Sequence, residues 1–282
     1  MRALRLQKNL RPPTGLLVYV LVVSACMASH GQNLTKRIQG PLDVDIAIPN
    51  SPTTTVRQDP TALEELAAHL KAVGQTPWVG FQGTGTISHS ETGADPIPVT
   101  IYIFGNDRFR MDETTANGVW SIRTHGSTGE VMPPNSKAIF LPPETASVGS
   151  IHFQFLRAAG FPDASTSFID KGMVSVNGHP LHRIATDVAT VRSVISPDAL
   201  VPLDLYFDPQ THLLIKSATI FRFRSAGLVP LPEVMTYSNY QNVDGLMLPF
   251  GFRETIDGEF QWSITLTQAD LVSAPPSTFF TF

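Results

Sequence analysis

The chain has 282 residues, of which 42% are hydrophobic and 16% are charged, and its formal net charge is −4. This balance is typical of a globular protein and provides no basic surface, so the sequence argues against nucleic-acid binding. Its single cysteine, Cys26, excludes an internal disulfide and a thiolate metal site in the rest of the chain.

The first 26 residues have the pattern of an export signal. Basic residues at positions 2, 5, 8 and 11 precede an uncharged run, 15–25, that is rich in leucine and valine. The run is shorter than the about 20 apolar residues that span a bilayer, so we predict a signal peptide and export from the cytoplasm. An uncleaved membrane anchor is the alternative.

Cys26 directly follows Val23, Ser24 and Ala25. This string resembles the lipobox of bacterial lipoproteins, which implies a mature chain that begins at a lipidated Cys26 and is anchored to a membrane of the cell envelope. Ordinary cleavage after Ala28, which would remove Cys26, is the alternative. Residues 27–58 are rich in Pro, Thr and Asn without sustained periodicity, so we predict a flexible linker there.

The folded domain is predicted to occupy residues 59–282 and to begin with a helix. Asp59 can cap its start, Pro60 can occupy the first helical position, and Gly74 can end it. Between them, apolar residues such as Leu63 and Leu66 recur at helical spacing. The pattern predicts an amphipathic helix that packs on a sheet.

The period changes to two in residues 79–88. Phe81, Gly83, Gly85 and Ile87 fall on one face of the predicted strand, and polar residues fall on the other. This alternation predicts a half-buried antiparallel strand. The two glycines leave room on the apolar face for a helix, a bend of the sheet or a ligand.

Turn signals follow at the spacing of hairpins. Asn117-Gly118 and Asp257-Gly258 are two-residue sequences of the kind that connects antiparallel strands. Residues 126–143 are interrupted by Gly and Pro and carry no predicted strand, and a short helix is predicted at residues 151–159. We therefore predict two meanders of antiparallel strands separated by a partly helical interruption.

The last third of the chain has the most regular alternation. Two consecutive strands each place large apolar residues at every second position, which predicts a long sheet with one apolar face. These residues are Leu246, Leu248, Phe250 and Phe252 in the first strand, and Phe260, Trp262, Ile264 and Leu266 in the second.

Two hairpins in this region carry a family resemblance. Residues 237–250 contain Tyr237 and Tyr240 followed by Val-Asp-Gly and Leu-Pro, and Phe207-Asp208-Pro209 opens a second turn. Both hairpins resemble those of the LolA, LolB and LppX superfamily of bacterial envelope proteins, over residues 59–271. The resemblance implies a mainly β fold: a single curved antiparallel sheet, shaped as a half-barrel, with a few helices on its concave face.

The same resemblance implies a hydrophobic ligand in the concave apolar cavity. We expect lipid or lipoprotein acyl chains as the partner, in the bacterial periplasm or at the outer membrane, with the protein acting as a carrier or sensor. A structural or interaction module of the envelope, whose cavity is filled by its own side chains, is the alternative. The candidate ligand-binding residues are Phe81, Ile87, Phe109, Met111, Trp120, Phe221, Phe223, Phe252, Trp262 and Leu266.

No local motif predicts catalysis. Ser127 lies in a turn sequence that lacks the spacing of a nucleophile elbow. His179 and His182 fall on opposite faces of a predicted strand, so they cannot bind a metal together from one face. We therefore assign no catalytic residue, metal or cofactor and expect the protein not to be an enzyme.

Overall fold

The computed structural model describes residues 56–74, 80–89, 95–105, 108–126, 128–141, 166–189, 200–222, 230–276 and 278–282. All of them except Arg222 and Pro230 belong to one compact unit, formed by residues 51–221 and 231–282. The described residues begin at 56, so the predicted signal peptide lies outside them. The same is true of the predicted helix at 151–159 and of most of the predicted linker.

The described residues form one helix and thirteen strands. Helix α1 is Pro60–Val73. The strands are β1 (Gly80–Ser88), β2 (Ile97–Phe104), β3 (Arg108–Thr115), β4 (Gly118–His125), β5 (Thr128–Met132), β6 (Ile139–Phe140), β7 (Phe168–Val176), β8 (His179–Ala189), β9 (Leu200–Phe207), β10 (Leu214–Arg222), β11 (Pro230–Val243), β12 (Leu246–Ile256) and β13 (Glu259–Val272).

All thirteen strands belong to a single antiparallel sheet. Their order is β6-β5-β4-β3-β2-β1-β13-β12-β11-β10-β9-β8-β7, so the first and last strands of the chain pair in the middle of the sheet. The strands β6 and β7 form two separate edges, and the sheet does not close into a barrel. The predicted mainly β fold with one curved antiparallel sheet is confirmed.

Helix α1 has the predicted bounds, but its start is held in an unexpected way. The Asp59 side chain makes no capping bond to the helix backbone. Its carboxylate instead accepts hydrogen bonds from the Arg57 guanidinium at 2.7 Å and from the backbone N–H of Asp170 at 3.1 Å. Asp59 therefore joins the beginning of α1 to the edge strand β7, and this tertiary contact replaces the local cap.

The space beside Gly83 and Gly85 of β1 is occupied by other atoms of the protein. A β-bulge shifts the pairing of β1 with β13 between Thr84 and Gly85. A methyl group at Gly85 would overlap the Thr265 carbonyl oxygen and stand 2.7 Å from the Leu266 Cα atom. At Gly83 it would stand 2.8 Å from the Leu266 side chain. The room left by these glycines is thus taken up by β13 rather than by an open space.

A second bulge changes the face of the sheet on which the first residues of β13 place their side chains. Pairing between β12 and β13 shifts after Glu254, so Trp262 stands opposite Glu254 whereas Phe260 stands opposite Thr255. The Arg253 guanidinium lies 4.5 Å from the center of the Phe260 ring. The prediction that Phe260 shares a face with Trp262 is therefore wrong, because an extra residue in β13 changes the side-chain parity.

Strands β5 and β6 were not predicted, because they are short and the Gly and Pro residues around them interrupt the alternation of apolar and polar residues. Tertiary pairing holds β5 in the sheet: Glu130 stands opposite Arg123 of β4 and accepts a hydrogen bond from its Nε at 2.6 Å. Both side chains are largely buried. This ion pair supplies a partner that local periodicity does not reveal.

Residues 278–282 pack against the outer face of β2–β4. The Phe279 ring meets the Tyr102 ring edge-on at 4.9 Å, and the Arg110 guanidinium lies 4.5 Å above it. Arg123 donates a hydrogen bond to the Thr278 carbonyl oxygen at 3.3 Å. The segment therefore covers aromatic and cationic side chains that face away from the helix side of the sheet.

We expect Phe279→Ala to lower the free energy of unfolding by about 1 to 2 kcal/mol, because it removes a half-buried ring, its two edge-on aromatic pairs with Tyr102 and Phe280, and one cation–π contact. Urea unfolding followed by circular dichroism measures the change. The matched control is Thr281→Ala in the same segment, which removes an exposed hydroxyl group and its solvent-exposed hydrogen bond to the Thr278 carbonyl oxygen and should change stability by less than about 0.5 kcal/mol. Equal effects of the two substitutions would contradict the proposed packing.

Candidate ligand-binding face

One face of the sheet is apolar across its central strands. Cross-strand pairs such as Phe81 with Ile103, Met111 with Ile101, and Phe252 with Ile264 align its side chains. We call this surface the apolar face. Its apolar members are Phe81, Ile87, Val99, Ile101, Ile103, Phe109, Met111, Tyr237, Phe250, Phe252, Trp262, Ile264 and Leu266.

Most of the predicted ligand-binding residues lie on this face. Seven of them are at most 5% exposed: Phe81, Ile87, Phe109, Met111, Phe252, Trp262 and Leu266. Trp120 is half-buried in β4. Phe221 lies in β10 but its side chain is outside the description, and Phe223 and Cys26 lie outside the described residues. Contact with a ligand remains a prediction for all ten side chains, as does lipidation for Cys26.

Three buried carboxyl groups interrupt the apolar face, and none of them was predicted. Glu113, Glu233 and Glu254 are 4%, 3% and 1% exposed. Glu113 shares its parity with Met111, and Glu254 shares its parity with Phe252, so each occupies an apolar position of its strand. A carboxylate at an otherwise apolar position of an alternating strand is the sequence pattern that could have predicted these buried groups.

Glu233 and Glu254 lie on the neighbouring strands β11 and β12 and share a hydrogen bond. A hydrogen bond between two carboxyl groups requires a proton on one of them. Burial raises the pKa of Glu233 from its ordinary value of 4.5 to about 8, although the bond with Glu254 opposes the rise. The pair therefore holds a proton in neutral solution.

Helix α1 is attached to the sheet by a polar cluster that we call the helix clamp: Glu65, Asp170, His182 and His212. The two carboxylate oxygens of Glu65 lie 3.0 Å from His182 Nδ1 and 2.9 Å from His212 Nδ1. The other ring nitrogen of His182 lies 2.9 Å from Asp170 Oδ1. Beside the clamp, the ring of His69 packs at 5.0 Å on Phe207. One carboxylate of the helix thus binds both strand β8, through His182, and the turn between β9 and β10, through His212.

The contacts of His182 require a charged imidazolium, because each of its ring nitrogens must donate to a carboxylate. Burial alone would lower the pKa of His182, but its hydrogen bonds with Glu65 and Asp170 outweigh that effect and raise it. The backbone N–H of Gly172 and the His182 ring together lower the pKa of Asp170. Both shifts favour the charged forms of His182 and Asp170, so the clamp is held together as an ion pair.

We expect His182→Gln to lower the free energy of unfolding by about 2 kcal/mol at pH 6, because it removes two charge-assisted hydrogen bonds. A raised pKa in the folded state means that this stabilisation is complete below the ordinary histidine pKa and is lost as the pH rises through the folded value. The difference between variant and native chain should therefore shrink between pH 6 and pH 9.

Urea unfolding at pH 6, 7, 8 and 9 measures this trend. His179→Gln is the matched control, since His179 is exposed in the same strand. A His182→Gln difference that does not vary with pH would contradict a charged clamp.

Within the described ranges, no group of three or more His, Cys, Asp or Glu side chains is arranged to hold a metal ion. His179 and His182 lie in β8 at positions of opposite parity, as predicted. The one described helix, α1, is not long and apolar enough to cross a membrane.

The geometry can be compared with known proteins. No family description matches the sequence, and no curated protein matches it. Solved structures do match: the single open sheet resembles the fold of solved LolA superfamily proteins.

Two solved structures illustrate this likeness. A LolA superfamily protein from Nitrosomonas europaea is 16% identical, with a TM-score of 0.51, over 78% of this chain and 97% of its own. A domain described as an outer membrane lipoprotein-sorting protein from Vibrio parahaemolyticus is 11% identical, with a TM-score of 0.50, over 77% of this chain and 94% of its own. At such low identities the likeness establishes the fold alone.

Proposed function

We propose that this protein is an exported envelope protein that binds lipid or lipoprotein acyl chains on its apolar face, as a carrier or sensor and without catalysis. The observation that carries the proposal is the continuity of the apolar face across β3, β2, β1, β13 and β12. The fold shared with LolA superfamily proteins supports it.

The dimensions of the face suit an acyl chain. Strand β12 places buried apolar side chains at alternate positions from Leu246 to Phe252, before Glu254, a run of about 23 Å at about 3.3 Å per residue. One leaflet of a bilayer has a hydrocarbon thickness of about 15 Å, half of the about 30 Å of the full core. An acyl chain can therefore lie along the strands without leaving the apolar face.

Burial of the face has a consequence for ligand entry. Its apolar side chains are at most 6% exposed in the absence of a ligand. A ligand must therefore displace whatever covers them. Helix α1 lies on the same side of the sheet, where it packs on Phe207 and is fixed by the helix clamp. Burying apolar ligand surface at about 25 cal/mol per Å² can offset that displacement.

Organic extraction of the purified protein, followed by mass spectrometry, tests the proposal. We expect co-purifying lipid in the native chain and at least a severalfold lower amount in Phe252→Ala. Phe260→Ala is the matched control, because Phe260 lies in the same hairpin against Arg253 and should retain the lipid. Repeated lipid-free preparations of the folded native chain would contradict the proposal.

The same burial favours a second function, a structural or interaction module of the envelope whose apolar face is filled by its own side chains. Such a module would give lipid-free preparations, and Phe252→Ala would then change only its stability.

We also propose that the site of action is the bacterial periplasm or the outer membrane. If Cys26 is lipidated, Cys26→Ser should move the protein from the membrane fraction to the soluble fraction. An unchanged distribution in cell fractionation would instead favour simple secretion, with cleavage after Ala28.

A further inference from the structure

Glu113 is a carboxylate set into the apolar face. It lies in β3, directly opposite Val99 of β2 and Trp120 of β4. Only 4% of its surface is exposed. Its cross-strand neighbours are thus apolar side chains on both adjacent strands.

The two oxygens of Glu113 differ. Oε2 accepts a hydrogen bond from His89 Nε2 at 2.9 Å, and His89 follows the end of β1. Oε1 is fully buried and has no hydrogen-bond partner among the described residues. Leaving a buried acceptor unsatisfied costs about 1 to 3 kcal/mol, and more when the group is charged. The protein thus maintains a costly acceptor on the surface where we propose that a ligand binds.

Carboxylates on the opposite face of the same strands are arranged differently. The two carboxylate oxygens of Asp112, the neighbour of Glu113, share the N–H of Arg110 Nε at 2.9 and 3.0 Å, and Asp112 also accepts a hydrogen bond from the Ser121 hydroxyl. Glu130 is paired with Arg123. These groups are satisfied within the sheet, whereas one oxygen of Glu113 has no partner among the described residues.

We propose that Glu113, oriented by His89, accepts a hydrogen bond from the head group of an amphiphilic ligand. The inference rests on the proposed function and specifies its ligand: an alkyl or acyl chain that carries a hydrogen-bond donor, either a hydroxyl group or an amine. The donor binds Glu113 Oε1, and the chain lies against Val99, Met111 and the other apolar side chains of β2 and β3.

Calorimetric titration with three probes of equal chain length tests this inference. Dodecylamine and 1-dodecanol carry a donor, whereas dodecyl methyl ether carries none. All three are used at concentrations at which they dissolve as monomers. We expect the native chain to bind the amine and the alcohol at least about tenfold more tightly than the ether, the size of one hydrogen bond to a charged group.

Two substitutions separate the two kinds of donor. Glu113→Gln keeps an acceptor but loses the charge, so amine affinity should fall about tenfold while alcohol affinity falls less. Glu113→Leu removes the acceptor, so both affinities should fall to that of the ether. Asp112→Asn is the matched control on the opposite face and should leave all three affinities unchanged. Melting temperatures confirm that each variant is folded.

The outcomes also separate this inference from the proposed function. If the native chain binds all three probes equally, or if Glu113→Leu leaves the preference intact, the inference fails while an apolar binding face remains. If the folded native chain binds none of the probes, the proposed function fails and the inference with it.

Discussion

Replacing Glu233 with glutamine is expected to make the protein more stable than the native chain in alkaline solution, by roughly 3 to 5 kcal/mol at pH 9. Burial raises the pKa of Glu233 to about 8, so the folded protein keeps the proton on this group where the unfolded chain has lost it. Glutamine is nearly isosteric, carries no charge, and can still form a hydrogen bond with Glu254.

The pH range of the effect follows from the sign of the shift. A carboxyl group with a raised pKa favours the folded state most below its unfolded value of 4.5, and that advantage declines as the pH rises until it is fully lost above about 8. The native chain should therefore lose stability across this interval, whereas the variant should lose much less.

Urea unfolding between pH 5 and pH 9 measures both curves. Glu64→Gln is the control, because Glu64 is exposed on α1. A Glu233→Gln curve parallel to that of the native chain would show that Glu233 is ionised in the folded protein.

The second large effect is expected at Gly85. An added methyl group there overlaps the Thr265 carbonyl oxygen and approaches the Leu266 Cα atom, both of which are backbone atoms held by the bulge between β1 and β13. Backbone atoms in the middle of a sheet cannot move aside without breaking ladder hydrogen bonds. We expect Gly85→Ala to lower the free energy of unfolding by about 3 kcal/mol or more.

Gly83→Ala is the matched control, two residues away on the same face. There the methyl group meets the ends of the Leu266 and Phe81 side chains, which can adjust, so we expect a loss of about 1 kcal/mol. Thermal unfolding compares the two variants. A smaller loss at Gly85 than at Gly83 would contradict the described register of β1 and β13.

The fold was largely predictable because its signals are local. Alternation with period two predicted the long strands, Asn-Gly and Asp-Gly pairs predicted hairpins, and Pro60 and Gly74 predicted the bounds of α1. Strand β5 and the bulge that turns Phe260 toward Arg253 were not predictable, because both depend on pairing between strands that periodicity within one strand does not specify.

The candidate site was predictable only in its apolar part. The size and spacing of Phe81 and Trp262 predict a buried face. Glu113 and Glu233 are acidic residues, and residues of this type are usually exposed. The helix clamp was also missed, because Glu65, His182 and His212 are far apart in sequence and meet only in the folded chain.

The most direct test of the proposed function is whether an acyl chain contacts the apolar face. In a variant with Trp78→Phe and Trp120→Phe, the one remaining tryptophan is Trp262, which is buried on that face. A phospholipid with a brominated acyl chain should quench its fluorescence in a saturable manner, and the same lipid without bromine should not. Fluorescence that stays unquenched by the brominated lipid, with the protein folded, would contradict binding at this face.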